Sequence, residues 1–371
     1  MPVIHFSMSK KQLCSPRNPS GILAKNISQE SFGKANKDDF DTNVLDQYLM
    51  QYIDENINGG LNLSRVCFMI HDMNFDPADQ EKKLKFSINP HRRIFKHYPV
   101  TGKKNGKIKA YSWPTALHLN DDAIEKTIGL GIAFGWKSNG DDKTFLKDFF
   151  NELLKNAENA SWGLFQLIKS VQRIMPNTPV HFVVNGLGSE VVIPAIEKLL
   201  DSKDQDALLN LRTLQLLGAS SPVSQVEKLT TRLNEHNSNL DFEIFNYMNP
   251  EDDHLNRVSE IYETAKVPQK VLGIEGTSSN TYKNWIDIQL NHPIVTWWIR
   301  KFLRIDIKVN DSDNIRDHTL FYRHLPNMIL FRQIAWENPD YSIEALRKKG
   351  LPEGRKSNFL PFLKRLLGID D

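Results

Sequence analysis

Apolar residues recur along this chain at two spacings, and the spacings take turns. At 43–56, Val44, Leu45, Tyr48, Leu49 and Tyr52 return every three or four positions and predict a helix. The run RVCFMIH (65–71) is short, apolar and β-rich, which predicts a buried strand ending at a polar loop. IAFGW (132–136) predicts another, closed by the turn-like KSNGDD. Leu146, Phe149, Phe150, Leu153, Leu154 and Ala157 then mark one helical face, which Leu164, Leu167, Ile168, Val171 and Ile174 continue past Gly163. Pro176 and Pro179 punctuate that pattern. The strongly β-patterned PVHFVVN (179–185) follows and runs through GLGSE into a helix with Val191, Val192, Ala195, Ile196 and Leu199 on its apolar face. Further strands are expected at 212–217 and 242–247, with a helix over about 253–265. The last third is less regular: VLGIEG, a Trp-rich segment at 285–302 and a helix-like stretch at 327–336. Strands alternating with helices at these intervals predict an α/β fold, a mostly parallel central sheet with helices on both faces.

The pattern fades in three places. Residues 1–40 are polar and read as a loosely attached N-terminal arm. Residues 76–125, rich in Pro, Lys and aromatics, read as an insertion into a main domain spanning 41–340. Residues 341–371 mix basic residues with Phe359, Leu360, Phe362, Leu363, Leu366 and Leu367, and read as a basic amphipathic C-terminal tail.

Composition narrows the function classes. A net charge of +2 over 371 residues gives no broad electrostatic reason to expect nucleic acid as a partner. The basic stretch HRRIFKH (91–97), with Lys103, Lys104, Lys107 and Lys109, reads as a solvated insertion loop. Two cysteines, Cys14 and Cys67, support neither a disulfide framework nor a zinc cluster, and Cys67 reads as a buried thiol. No metal or cofactor is expected. No apolar run approaches the ~20 residues of a membrane span, and the N-terminus lacks the apolar core of a secretory signal. The expectation is a soluble, cytoplasmic protein.

Chemistry concentrates at the strand–turn–helix of 179–200, since ligands of α/β sheets bind at the carboxyl ends of strands. VHFVVN-G-LGSEVV resembles the nucleophile elbow of α/β-hydrolases, in particular the lipase- and esterase-like branch reading V-H-hydrophobic-x-x-H-S-L-G. FMIHDMNFDP (68–77) is similar to that branch's oxyanion loop, F-hydrophobic-hydrophobic-H-G-x-x-[FY]-x-P. Segments 89–95, 111–114, 131–140, 282–298 and 317–334 resemble a poorly characterised bacterial subgroup of the same fold. The resemblance implies the α/β-hydrolase fold, with the oxyanion-hole region at Leu187, Asp72 and Met73. His71, Asn185 and Gly188 would stand beside the site. The chain order nucleophile, acid, histidine implies Asp253 as the acid, with Asp252 as the fallback. His318 is then the histidine, with His324 and His71 as nearby alternatives.

Three departures from that pattern fall in one small site. Gly186 stands where the family has its nucleophilic Ser, Asp72 where it has Gly, and Asn185 where it has His. Serine catalysis needs an attacking oxygen, and glycine has none. Ser189, three residues into the helix, points elsewhere. A carboxylate at 72 is hostile to a developing oxyanion unless it points away or is neutralised. These changes imply a pseudohydrolase that binds a small apolar or carbonyl-containing ligand, or a protein partner. The rival expectations are an ester or lipid hydrolase using His318 and Asp253 to activate water, and a membrane-surface adaptor acting through the tail. TWWIRKF (296–302) reads as core or as the lining of an apolar pocket.

Overall fold

The computed structural model describes residues 3–9, 12–15, 31–34, 40–56, 63–77, 89–95, 103–104, 107–108, 112–117, 119, 128–139, 146–202, 205–236, 240–263, 270–277, 283–307, 318–322 and 324–354. The tail beyond 354, and with it the proposed membrane-binding face, lies outside the described residues, as do most of 76–125 and residues 16–30. The chain forms two compact units, 1–212 and 213–371. Both are built of parallel strands alternating with helices, the α/β architecture that the apolar spacing predicts.

The first unit runs β1 (Val3–Ser9), β2 (Gln12–Cys14), β3 (Ser31–Lys34), α1 (Thr42–Asn56), β4 (Leu63–Ile70), α2 (Pro90–Arg93), β5 (Lys103–Lys104), β6 (Lys107–Ile108), α3 (Trp113–Ala116), β7 (Ile128–Trp136), α4 (Leu146–Ile174), β8 (Val180–Asn185), α5 (Ser189–Asp201) and α6 (Gln205–Leu209). Its strand order is β8-β4-β7-β1-β2-β3. Pairing is parallel from β8 to β1 and antiparallel through β2 and β3. Cys67 on β4 is fully buried, and burial pushes its thiol far above the usual range. α4 is one unbroken helix through Gly163, where a Cβ would sit 2.4 Å from the Met8 sulfur. Glycine there lets the helix approach β1.

Two expectations need correction in this unit. Residues 3–9 are not part of a loose arm: β1 pairs with β7 from Val3↔Gly131 to Met8↔Trp136, and all of Val3–Met8 is buried. Its polar residues conceal the strand because they are bonded inside. The two Nδ1 atoms of His5 and His91 lie 2.9 Å apart, and Ser7 Oγ lies 2.8 Å from His91 Nε2. HRRIFKH is likewise not a wholly solvated loop, since His91, Ile94 and Phe95 are buried. Burial and the neighbouring His5 and His71 hold the His91 imidazole well below its usual pKa.

The second unit contains most of β9 (Leu211–Leu217), then α7 (Val223–His236), β10 (Glu243–Met248), α8 (Asp253–Glu263), α9 (Leu272–Glu275), β11 (Trp285–Gln289), α10 (Pro293–Trp298), α11 (His318–Tyr322), α12 (Leu325–Arg332) and α13 (Ile343–Lys348). β9, β10 and β11 pair in parallel. The Trp-rich segment hides β11, whose buried Asp287 interrupts the apolar run. That carboxylate accepts from Asn246 Nδ2 (2.7 Å), Trp285 Nε1 (3.0 Å), and Thr277 N and Oγ1 (2.8 and 2.7 Å). Burial raises its pKa against these bonds. TWWIRKF divides: Trp298 is core, whereas Trp297 and Phe302 are exposed with the Lys301 ammonium over both rings. No helix among the described residues is long and apolar enough to cross a membrane.

Glu243 opens β10 and accepts the Ile343 N–H at the start of α13 (2.7 Å). Burial raises its carboxyl from 4.5 to about 7. A raised carboxyl contributes stability below its unfolded pKa that is lost as pH rises through its folded one. Relative to Glu243→Gln, the native protein is therefore expected to lose stability from pH 4.5 to about 7, by at most about 3 kcal/mol. Urea denaturation of both proteins across that range reads the difference, which should be flat below pH 4.5 and above pH 7.

Candidate functional site

The carboxyl ends of β4 and β8 lie side by side in register, Ile70 opposite Val184. The turn after β8 is a single 3-10 turn, Gly186–Gly188, that feeds directly into α5. Gly186 has φ +50°, the left-handed region that glycine enters at low cost. A Cβ on Gly188 would lie 2.9 Å from the His71 carbonyl oxygen, so the turn and β4 approach backbone to backbone. Local geometry thus makes a sharp strand–turn–helix with its first residue in a conformation suited to an elbow.

Asp72 enters this elbow from the end of β4. Its Oδ1 accepts the Leu187 N–H at 2.7 Å. A Cβ built on Gly186 would lie 2.2 Å from Oδ1, 2.3 Å from Cγ and 2.8 Å from Oδ2. The carboxylate therefore fills the volume that a side chain at 186 would need. It does not point away: it is bonded to the Leu187 N–H, the donor that the resemblance assigns to an oxyanion hole.

The backbone around Asp72 is held firmly. Its carbonyl accepts from Ser138 Oγ (2.8 Å) and from His71 Nδ1 (2.6 Å). His71 Nε2 in turn accepts the Trp136 N–H (3.0 Å), which assigns the proton to Nδ1. Burial lowers this imidazole to about 4, with the Asp72 carbonyl and carboxylate opposing the shift. His71 is thus a neutral brace with both nitrogens bonded, not a catalytic base. Met73 is half-buried in the following turn, where Asn74 has φ +68°. Ser189 Oγ donates to the Gly186 carbonyl (2.8 Å), so it is turned into its own helix. Asn185 is buried, and its Oδ1 has no partner among the described residues.

The second unit carries an acid–histidine pair, and its acid is Asp252, the fallback, rather than Asp253. His318 Nδ1 lies 2.7 Å from Asp252 Oδ2, and both side chains are buried. Asp252 is the residue before α8, and its Oδ1 accepts from His254 N and Leu255 N, both at 3.0 Å. One oxygen therefore caps the helix while the other meets the imidazole. Asp253, one residue on, projects from the first turn and is exposed. Adjacent acidic residues look alike in sequence; the capping position distinguishes them. His324 precedes α12 and makes no side-chain cap hydrogen bond there.

Two features around the pair were not anticipated. The Tyr322 ring stands edge-on to His318 at 5.3 Å and its hydroxyl donates to the Tyr247 carbonyl. Burial, and then the Asp252 charge, push its phenol far up. Gly218, after β9, has φ +57°, and a Cβ there would lie 2.7 Å from His318 Cε1 and 2.6 Å from Tyr322 Cε2. Among the described residues no cluster of three or more His, Cys, Asp or Glu is arranged to hold a metal ion.

Gly218→Ala should displace His318 from Asp252 and lower the unfolding free energy by roughly 1–3 kcal/mol, the cost of a strained φ plus a clash. Urea denaturation measures the loss, and an unchanged midpoint would contradict the close packing. Against known proteins, no family model matches this chain and no curated protein matches it.

Proposed function

We propose that this chain is an α/β-hydrolase-fold protein that does not carry out serine ester hydrolysis and binds a small apolar or carbonyl-bearing ligand. The observation that carries the reading is the Asp72 carboxylate on the Leu187 N–H. In the resemblance to lipases and esterases, that N–H stabilises the oxyanion of the ester being cleaved. Here the donor is already bonded, and the residue at the nucleophile position has no side chain. By the same resemblance, the elbow backbone and the Asp252–His318 pair each correspond to a part of that machinery.

The test uses p-nitrophenyl acetate and butyrate. Native protein is expected to be silent. Gly186→Ser alone should stay silent too, because its Cβ collides with Asp72. Gly186→Ser/Asp72→Gly is expected to turn over, and His318→Ala added to it should abolish that turnover. The intact, buried Asp252–His318 pair favours a second reading, hydrolysis by water that His318 deprotonates. Native turnover that disappears in His318→Ala is its signature and would overturn the first.

A further inference from the structure

We propose that the exposed face of α10 is a docking surface for an anionic phospholipid bilayer, which it meets through Trp297, Phe302 and the cations around them. The inference goes beyond ligand binding at the elbow and does not depend on it.

Three observations lead there. The first is a stripe. Pro293, Trp297, Arg300, Lys301 and Arg304 recur at helical spacing and are exposed, while Val295, Trp298, Ile299 and Leu303 turn into the core. The second is an aromatic pair placed outside by the backbone itself. In a regular α-helix Phe302 would stand four residues after Trp298 and seven after Val295, on the buried face. The π turn Ile299–Leu303, which continues α10, winds more widely. Phe302 is 41% exposed there and Trp297 39%, with ring centroids 6.3 Å apart. Exposed apolar side chains that cluster and are rimmed by polar ones mark an interaction surface. The third is charge. Lys301 Nζ lies 4.7 Å from the Trp297 ring centre and 5.5 Å from that of Phe302. Arg300 Nε donates to Asp306 (2.9 Å), whereas Lys301 and Arg304 have no ion pair among the described residues.

This combination selects the partner. Aromatic rings favour the boundary between headgroups and acyl chains, and cations beside them are drawn to anionic lipid. Long basic side chains can lay their stems along that boundary and keep their charged ends at the phosphates. The contact is peripheral, because one stripe of a packed helix reaches only the headgroup layer and its edge. A second copy docking by the same stripe would bring like charges together. The basic tail, 355–371, has the same sign as the stripe and does not complement it. Nucleic acid calls for a basic groove that tracks successive phosphates, which one exposed helix face does not supply.

The experiment floats native full-length protein with vesicles of phosphatidylcholine alone, and of phosphatidylcholine containing one-third phosphatidylserine. Native protein is expected to rise with the anionic vesicles, to rise far less with the neutral ones, and to be released in roughly 1 M salt, where charge is screened within about 3 Å. Lys301→Gln/Arg304→Gln should weaken partitioning about 30-fold, at roughly fivefold for each cation near an anionic surface. Trp297→Ser/Phe302→Ser should lose flotation although it keeps every cation. All four side chains are exposed, so both variants are expected to keep the native midpoint in urea. Native protein that does not float, or that floats equally with both kinds of vesicle, overturns the proposal. So does either variant floating as the native protein does, which would assign the binding to the tail.

Discussion

The first turn after β8 leaves a backbone N–H at Leu187 that no earlier carbonyl can reach, because helix starts always leave donors over. In a buried position such a donor must find an acceptor. Asp72 supplies it, and the surroundings follow from that contact. Its carboxylate needs room, so position 186 carries no side chain. Its backbone must be steady, so Ser138 and a neutral His71 bond its carbonyl. His71 must stay neutral to accept the Trp136 N–H, and its complete burial ensures that it does. The 2.7 Å hydrogen bond ties the end of β4 to the turn after β8, and the His71–Trp136 bond ties β4 to β7.

The second unit uses the same economy with a different residue. Asp252 caps α8 with one oxygen and holds His318 with the other. A helix cap and an imidazole anchor are met by one carboxylate, and the geometry of each stiffens the other. Gly218, with positive φ, keeps the approach to His318 and Tyr322 clear.

Much of this architecture was legible in the chain. Periodicity located α1, α4, α5, α8 and strands β4, β7, β8, β9 and β10, because each presents a clear apolar face or run. β1 and β11 were hidden for one reason: buried polar residues break the apolar run, and only the folded partners reveal that they are bonded. Ser7 and His5 meet His91, which is distant in sequence, and Asp287 meets Asn246 and Thr277. The elbow and His318 could be located by flanking residues. The choice of Asp252 over Asp253 could not, since it depends on which carboxylate faces inward. Nor could the sequence show that Asp72 and Gly186 are complementary in space, because the positions are far apart along the chain.

That complementarity constrains how the chain can vary. A side chain acquired at Gly186 meets the carboxylate at 2.2 Å, so most first steps at that position are blocked. A glycine acquired at Asp72 strands a buried donor. Each residue holds the other in place: replacing either one alone leaves a clash or an unbonded buried donor, so only a joint replacement avoids both.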